Sequence, residues 1–278
     1  MQNDLRNKWV VITGASSGFG AAAARAFGAR GARLLLGARR LERLKEAAES
    51  ARQAGAPEAH FEALDVGQTA SVERFVRWAR QRIDSGQSPT AEPGSKTAGL
   101  DVLINNAGGA HGLDPVAQAR DEDWEAMIQS NVLGLLRMTR AALPLMLPNP
   151  GSSILNIGSY AGRVAYEGGA AYCAAKAGEL KISQALRLEL FGTGIRVCSI
   201  DPGLAETEFS LVRFKGDAAR ASKVYEGTQP LTAEDIAEIL VWVACRPPHV
   251  NIDEMLIKAT DQAAMHKVYR RTSSPQQK

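Results

Sequence analysis

A tyrosine and a lysine four positions apart carry the clearest chemical signal in the sequence. They are Tyr172 and Lys176 in the stretch YCAAK, and side chains four apart on a helix share one face. Lowering the pKa of a phenol from about 10 to about 7 takes about 4 kcal/mol of preference for the phenolate. A positive charge about 4 Å away, at an effective dielectric of about 20, supplies roughly that amount. We therefore predict that Lys176 lowers the pKa of Tyr172 and that Tyr172 exchanges a proton with a substrate oxygen.

A serine thirteen residues before Tyr172 extends this site. Ser159 ends the apolar run SSILNIGS and is expected at the carboxyl end of a strand, where the active sites of parallel sheets gather. A carbonyl that accepts a hydride becomes an alkoxide, and the Ser159 hydroxyl can hold that oxygen while Tyr172 protonates it. Tyr160 and Tyr166 lack a lysine four residues later, and we interpret them as pocket lining or packing.

A glycine-rich turn near the start of the chain predicts a nucleotide site. In VVITGASSGFG, a strand ends in a turn with Gly14, Gly18 and Gly20 before an alanine-rich stretch. Such glycines let a pyrophosphate approach the positive end of the following helix. The spacing differs from GxGxxG and no GK[ST] follows, which disfavours a nucleoside-triphosphate P-loop. A tight strand-to-helix connection is the alternative.

Two arginines after the second predicted strand indicate which dinucleotide binds. The sequence there is LLLGARR, with the small residues Gly37 and Ala38 where a carboxylate would favour the ribose hydroxyl of NAD. Arg39 and Arg40 suit a phosphate, because a guanidinium makes paired, charge-assisted hydrogen bonds. We predict NADP rather than NAD. The alternative is that the two arginines only open a solvated helix.

Alternating strands and helices position these residues. Seven apolar runs read as strands: WVVIT, ARLLLGA, HFEALDV, LDVLINNAG, SSILNIGS, IRVCSIDPG and DEMLIKAT. The helical stretches between them are 18–30, 40–54, 69–83, 121–147, the one with Tyr172, and 233–245. This alternation predicts an α/β fold, a Rossmann-type doubly wound parallel sheet of seven strands with helices on both faces.

The length of 278 residues suits one large domain, which we place over 1–269. The stretch 84–99 is rich in Gly, Ser, Pro and Thr and is predicted to be a surface loop. The end of the chain, 270–278, is predicted to be a disordered tail.

The composition argues against several classes of protein. There is no run of 18 apolar residues and no apolar signal-peptide core, so we expect a cytoplasmic protein without a membrane span. A net charge of +3, with acids and bases interleaved, disfavours nucleic-acid binding. The histidines have no paired spacing, so no metal site is expected. Three scattered cysteines are predicted to be buried thiols: Cys173, Cys198 and Cys245.

The motifs together resemble those of the short-chain dehydrogenase/reductase superfamily. The resemblance spans about 8–260 and rests on TGASSGFG, LDV at 64–66, NNAG at 105–108, Asn131, Ser159, YCAAK and DPG at 201–203. It implies that these residues bind the cofactor: Gly14, Ser16, Ser17, Gly18, Phe19, Gly20, Arg39, Arg40, Asp65, Val66, Asn105, Ala107, Gly108, Tyr172, Lys176, Pro202 and Gly203.

The same resemblance implies a catalytic set of Asn131, Ser159, Tyr172 and Lys176. In it, Lys176 also hydrogen-bonds the nicotinamide ribose, and Asn131 binds a water that links Lys176 to solvent. Asp65 has the alternative role of a helix cap, and Asn131 that of an ordinary polar residue within a helix. The resemblance also implies a homo-oligomer, a tetramer or a dimer.

The segments around 122–146, 204–227 and 231–255 resemble the NADP-dependent serine and 3-hydroxy-acid dehydrogenases. This branch interconverts the 3-hydroxyl of small acids, such as serine, allo-threonine or 3-hydroxy acids, with the carbonyl. A substrate carboxylate needs a cation, and Arg163, Arg213 and Lys215 are open candidates. Arg163 departs from the branch, in which that loop is usually uncharged. Two alternatives remain: a broad carbonyl reductase for bulky ketones and a non-catalytic nucleotide sensor.

Overall fold

A seven-stranded parallel sheet forms the centre of the protein. The computed structural model describes residues 4–85 and 99–271. The strands are β1 Trp9–Thr13, β2 Arg33–Ala38, β3 Ala59–Ala63, β4 Val102–Asn105, β5 Ser153–Ile157, β6 Arg196–Pro202 and β7 Glu254–Ile257. Their order across the sheet is β3-β2-β1-β4-β5-β6-β7, with every neighbouring pair parallel. The predicted fold class is confirmed.

Helices cover both faces of this sheet. They are α1 Gly18–Gly28, α2 Leu41–Ala54, α3 Thr69–Ser85, α4 Asp121–Met127, α5 Gly134–Met146, α6 Ala170–Glu189, α7 Phe209–Arg213, α8 Ala218–Lys223 and α9 Ala233–Ala244. Val10 and Ile12 of β1 pack in one core with α1, α2 and α9, and Trp9 and Val11 pack in another with α3, α5 and α6. Alternate residues of a strand point to opposite faces, so a strand buried on both sides is apolar throughout.

The connections place a crevice at the carboxyl ends of β1 and β4. From β1 the chain proceeds outward to β3 and then returns to the other side of β1 with β4. Ligands of doubly wound sheets bind where the strand order reverses in this way. The two loops at the crevice are joined by Asn106, whose Nδ2 donates to the carbonyl oxygens of Thr13 at 2.9 Å and Gly14 at 3.2 Å.

The predicted single helix over 121–147 is interrupted. A π-helical segment, Ile128–Leu133, separates α4 from α5. Within it, the side chain of Asn131 donates to the Met127 carbonyl at 2.8 Å, and the Ser130 hydroxyl donates to the Ala126 carbonyl at 2.7 Å. In a regular α-helix, each of these carbonyls accepts from the backbone amide four residues later. Here each accepts from a side chain at that position, which favours the wider turn.

The described chain extends slightly beyond the predicted domain. A short hairpin follows β7, with β8 Gln262–Ala264 and β9 Lys267–Val268. Arg271 then binds Asp261 at 2.6 Å, and Arg270 donates to the Glu226 carbonyl. The first two residues of the predicted tail are therefore anchored, which corrects the prediction for them, and 272–278 lie outside the described residues.

The predicted loop 84–99 starts inside α3, which continues to Ser85. Most of that loop, 86–98, lies outside the described residues. In the rest of the chain, no helix is both long enough and apolar enough to cross a membrane.

Candidate active site

A cavity of about 860 Å³ opens at the carboxyl ends of the strands. Most of the predicted site residues line it: Gly14, Ser16, Ser17, Gly18, Phe19, Arg39, Arg40, Asp65, Val66, Ala107, Gly108, Ser159, Tyr172, Lys176, Pro202 and Gly203. The fold thus brings seven separate stretches of the sequence to one site. Gly20, Asn105 and Asn131 are not among the lining residues.

Gly20 and Asn105 support the cavity from behind. A Cβ on Gly20 would collide with the carbonyl oxygen of Gly14, so close backbone packing requires glycine there. Asn105 is buried, and its amide donates to Thr139 at 3.0 Å and to Asn156 at 2.9 Å. The observed contacts of both residues are therefore with the framework behind the cavity.

Asn131 ties the loop after β4 to the π-helical segment. Its Nδ2 donates to the carbonyls of Gly109 at 2.9 Å and Met127 at 2.8 Å, and its Oδ1 accepts from the Gly109 amide at 3.1 Å. A Cβ on Gly108 would collide with this Oδ1. The observed contacts are those of a residue that shapes the loop and the helix.

Ser159, Tyr172 and Lys176 come together at the end of β5. Ser159 follows that strand, and its hydroxyl accepts from the Ala161 amide at 3.1 Å. Tyr172 and Lys176 lie on one face of α6, with the Lys176 Nζ 5.8 Å from the centre of the Tyr172 ring. The Tyr172 ring also packs against Phe209, at 5.5 Å between ring centroids. The predicted grouping of phenol, ammonium and hydroxyl is present.

The pKa of Tyr172 is higher than the ordinary value, which corrects the expected lowering. Burial raises the pKa most, whereas the Lys176 ammonium and the Ser159 hydroxyl lower it and Glu179 raises it. Removing the phenolate from water raises this pKa more than the Lys176 ammonium lowers it, because that ammonium is itself paired with Glu179 at 2.8 Å. Tyr172 is therefore protonated at neutral pH.

The glycine-rich turn fits a pyrophosphate. Gly14 and Gly18 have φ values of 66° and 51°, which favour glycine. A Cβ on Gly14 would lie 2.8 Å from the Asn106 Nδ2 and 2.9 Å from the Ala107 Cα, so the turn can pack this closely against the loop after β4 only without a side chain. The exposed backbone leads into the N-terminus of α1, which favours an anion.

Arg40 lies where the second phosphate of NADP is expected. Its Nη2 donates to the Ser17 hydroxyl at 2.6 Å, and its Nη1 donates to Glu208 at 2.9 Å. Arg43 lies 3.8 Å from the same carboxylate. Guanidinium groups that already hold one anion at the cavity rim fit a phosphate. Glu208 was missed by the sequence reasoning, because nothing in its surroundings in the chain predicts a contact with α2.

Asp65 lines the cavity and also caps a turn. Its Oδ1 accepts from the Gly67 amide at 2.9 Å, before α3 begins. The predicted ligand contact and its alternative as a capping residue are therefore compatible, because the carboxylate has further acceptor positions.

The three candidate cations for a substrate anion are in different surroundings. Arg163 is held by Asp201, at 2.6 Å and 2.8 Å, and by Glu254 at 2.6 Å, away from the cavity lining. Lys215 binds Asp123 at 2.8 Å and is not a lining residue either. Arg213 lines the cavity. Of the three, Arg213 is the one that a ligand beside Tyr172 can reach.

Arg213 and Tyr166 form a polar pair next to Tyr172. The Arg213 Nη2 donates to the Tyr166 hydroxyl at 2.8 Å, and its Nε donates to the Gly112 carbonyl at 3.0 Å. Its Cζ lies 5.8 Å from the centre of the Tyr172 ring. Burial raises the pKa of Tyr166 to about 12, although Arg213 opposes the shift. Tyr166 therefore keeps its proton and can donate a hydrogen bond to a ligand.

The comparisons with known proteins agree with this geometry. A family model described as short chain dehydrogenase matches residues 8–216. The chain belongs to the short-chain dehydrogenase family. The predicted resemblance is thereby confirmed, and the protein is an oxidoreductase that acts on hydroxyl or carbonyl groups.

This short-chain dehydrogenase has relatives over almost its whole length. A sulfoacetaldehyde reductase of Chromohalobacter salexigens is 43% identical over 255 residues, which cover 91% of this chain and 94% of the relative. An NADP-dependent 3-hydroxy acid dehydrogenase of Schizosaccharomyces pombe is 38% identical over 274 residues, covering 96% and 98%. A solved structure, the closed form of serine dehydrogenase complexed with NADP+, has a TM-score of 0.82 at 38% identity and covers 95% of this chain and 100% of that chain.

Two site residues of this short-chain dehydrogenase were missed by the sequence reasoning. Glu208 and Glu179 belong to none of the recognised motifs. A signal existed for Glu179, because it lies three residues after Lys176 and such side chains are neighbours on a helix. Among the described residues, no cluster of three or more metal-ligating side chains occurs.

Proposed function

We propose that this short-chain dehydrogenase uses NADP(H) to interconvert a hydroxyl and a carbonyl group in a small acid whose anionic group binds Arg213. The substrates that fit are 3-hydroxy acids, including serine and allo-threonine, and the corresponding carbonyl acids. The observation that carries the proposal is the position of Arg213, which lines the cavity beside Tyr172. NADP as the cofactor has the support of two relatives named above and of Arg39 and Arg40 at the rim.

The reduction needs an acid beside the substrate carbonyl, and Tyr172 fills that role. When bound, NADPH supplies the hydride. The Tyr172 hydroxyl gives its proton to the carbonyl oxygen as negative charge develops there, and the Ser159 hydroxyl donates a hydrogen bond to the same oxygen. Because burial keeps Tyr172 protonated at neutral pH, the geometry favours reduction there. Oxidation needs the phenolate and is expected to gain speed as the pH rises.

Arg213 and Tyr166 are suited to a planar or tetrahedral anion. Nη1 of Arg213 makes no hydrogen bond to any residue that the structure describes, so it can donate to an incoming oxygen. The Tyr166 hydroxyl accepts from Arg213 and can donate a hydrogen bond to a second oxygen of the same anion. A guanidinium with a phenol beside it thus provides two donors at fixed spacing.

The nature of the anion separates two candidate functions. A carboxylate corresponds to the 3-hydroxy acid and serine dehydrogenases among the relatives, and a sulfonate corresponds to the sulfoacetaldehyde reductase. Both anions suit a guanidinium, so the second candidate is a reductase of short aldehydes that carry a sulfonate. The ratio of kcat/KM for a 3-carbonyl acid to that for a sulfonate aldehyde of equal length decides between them.

The proposal is tested by changing Arg213 to Gln. We expect kcat/KM for a small 3-hydroxy acid to fall about 10- to 100-fold, because a charge-assisted pair contributes about 1.5–3 kcal/mol. A neutral alcohol or aldehyde of similar length should lose less than about threefold, since it has no anion to place. The measurement is NADP(H) absorbance across paired charged and neutral substrates.

A matched control is Lys215→Asn, which removes a cation outside the cavity at a position with a φ of 54° that asparagine tolerates. It should leave both substrate classes unchanged. Equal losses for charged and neutral substrates in Arg213→Gln would contradict the anion site and favour a broad carbonyl reductase. Absence of turnover with every carbonyl and hydroxyl compound in the screen would favour a non-catalytic nucleotide sensor.

A further inference from the structure

Three ionisable side chains lie in a row along the buried face of α6. Tyr172, Lys176 and Glu179 are 8%, 6% and 3% exposed, and their spacings of four and three place them on successive turns of one face. A buried carboxylate is costly unless it is paired and hydrogen-bonded. Glu179 belongs to none of the motifs that predicted the site, so its place behind Lys176 needs a physical explanation.

Glu179 fixes the position of the Lys176 ammonium. An ammonium has three N–H donors. One donates to Glu179 Oε2 at 2.8 Å, and another donates to the carbonyl of Ile157 at the end of β5, at 3.0 Å. The remaining donor is left for the cavity, which Lys176 lines. The carboxylate thus helps to decide where the charge lies relative to Tyr172.

The charged surroundings of Glu179 come from four elements. Lys176 on α6 and Asp201 on β6 act on it directly. Asp201 is paired with Arg163, which follows β5 and also pairs with Glu254 on β7. Burial raises the pKa of Glu179 to about 7, Lys176 opposes the shift, and Asp201 adds to it. The carboxyl therefore gains or loses its proton in the neutral range, unlike an exposed glutamate.

The charge of Glu179 acts on Tyr172 with the opposite sign to that of Lys176. Lys176 lowers the pKa of Tyr172, and Glu179 raises it. When Glu179 is protonated, the charges that act on Tyr172 are those of Lys176 and Arg213, and both lower its pKa. When Glu179 is ionised, its negative charge offsets part of that lowering. The two protonation states of one carboxyl therefore define two acidities of the phenol.

We propose that Glu179 is a positioning residue that holds the Lys176 ammonium against Ile157 and, through that ammonium, sets the pH at which Tyr172 gives up its proton. The part that concerns turnover rests on the proposed function. The charge coupling itself needs no substrate, because all three groups belong to the chain.

The test is Glu179→Gln, which keeps the shape and an acceptor oxygen but removes the charge. Lys176 stays cationic, since the Ile157 carbonyl and the charge of Asp201 still favour the ammonium. Tyr172 should then ionise roughly one pH unit lower. The readout is the Cζ resonance of carbon-13-labelled tyrosine without substrate, assigned by its loss in Tyr172→Phe. The high-pH midpoint of kcat/KM for reduction should move in the same direction.

Two variants and one wild-type measurement control for a purely structural effect. Glu189→Gln removes an exposed carboxylate from the same helix and should leave the Tyr172 midpoint in place. Glu179→Asp retains the charge, so its Tyr172 midpoint should lie nearer to that of the wild type than the midpoint of Glu179→Gln does. In the wild-type protein, the Tyr172 resonance should show a second inflection at about pH 7, as Glu179 ionises.

A folded Glu179→Gln protein whose Tyr172 midpoint matches the wild type would overturn the proposal. If the variant does not fold, absence of the neutral-range inflection in the wild type overturns it as well. Failure of the proposed function looks different, because the tyrosine resonance still shifts in Glu179→Gln even when no acid in the screen is turned over.

Discussion

At the scale of single residues, the acidity of Tyr172 depends on four neighbours and on burial. Lys176, Ser159 and Arg213 favour the phenolate, whereas Glu179 and the loss of water favour the phenol. The sequence predicts the favourable charge, because four residues on a helix bring it near. It does not predict the burial, which is the larger influence. The outcome is a phenol that acts as an acid at neutral pH.

The role of Tyr172 is tested by Tyr172→Phe. The ring still fits against Phe209, so the fold and the binding of NADPH should be retained. Loss of the proton donor should lower kcat about 10²- to 10⁴-fold. Steady-state kinetics and NADPH fluorescence measure the two effects separately. Tyr269→Phe, at an exposed position, is the control, and turnover at the wild-type level in Tyr172→Phe would rule the mechanism out.

At the scale of elements, α2 and the start of α7 meet across the rim of the cavity. Arg40 immediately precedes α2, Glu208 immediately precedes α7, and the two side chains form an ion pair of 2.9 Å. If the 2′-phosphate of NADP binds this guanidinium, as the sequence predicts, Glu208 and NADP compete for it. We therefore expect the segment after β6 to affect cofactor binding through one carboxylate.

The competition predicts that Glu208→Gln binds NADPH more tightly. Exposed ion pairs contribute up to about 1 kcal/mol, so the Kd for NADPH should fall about two- to fivefold. The Kd for NADH should change less, since it carries no second phosphate. Fluorescence titration measures both values, and Glu42→Gln on α2 is a control for removing a nearby exposed charge. Equal changes for both cofactors would exclude Arg40 as a phosphate ligand.

The π-helical segment between α4 and α5 could not be predicted from apolar periodicity. Apolar periodicity alone predicts one helix over 121–147, because an α-helix and a π-helix differ by less than one residue per turn. Asn131 adds a local bond to the Met127 carbonyl and a tertiary bond to the Gly109 carbonyl, in the loop after β4. The helix type therefore depends on side-chain bonds that apolar periodicity does not reveal.

At the scale of the whole molecule, Glu179 makes stability depend on pH. Its folded-state pKa of about 7 lies above the ordinary value of 4.5. A raised pKa means that the carboxyl's contribution is fully present below about pH 4.5 and is lost as the pH rises to about 7. The free energy of unfolding of the wild type, relative to Glu179→Gln, should therefore fall across that window.

Urea denaturation of both proteins at about pH 5 and about pH 8 measures this difference. Glu189→Gln should differ from the wild type by the same amount at both pH values, because its carboxylate is exposed. A pH-independent difference for Glu179→Gln would contradict the raised pKa.

The predicted homo-oligomer and the cytoplasmic location stay predictions.

The sequence by itself determined the sheet, the dinucleotide turn and the catalytic grouping, because each depends on local periodicity or on short spacings. Strands read as apolar runs, and Tyr172 and Lys176 share a face through helix geometry alone. Only the tertiary structure decided which cation faces the cavity, which contacts Asn105 and Asn131 make behind it, and that Glu179 and Glu208 lie at the site. These outcomes depend on burial and on contacts between residues distant in the chain, which spacing along one sequence does not encode.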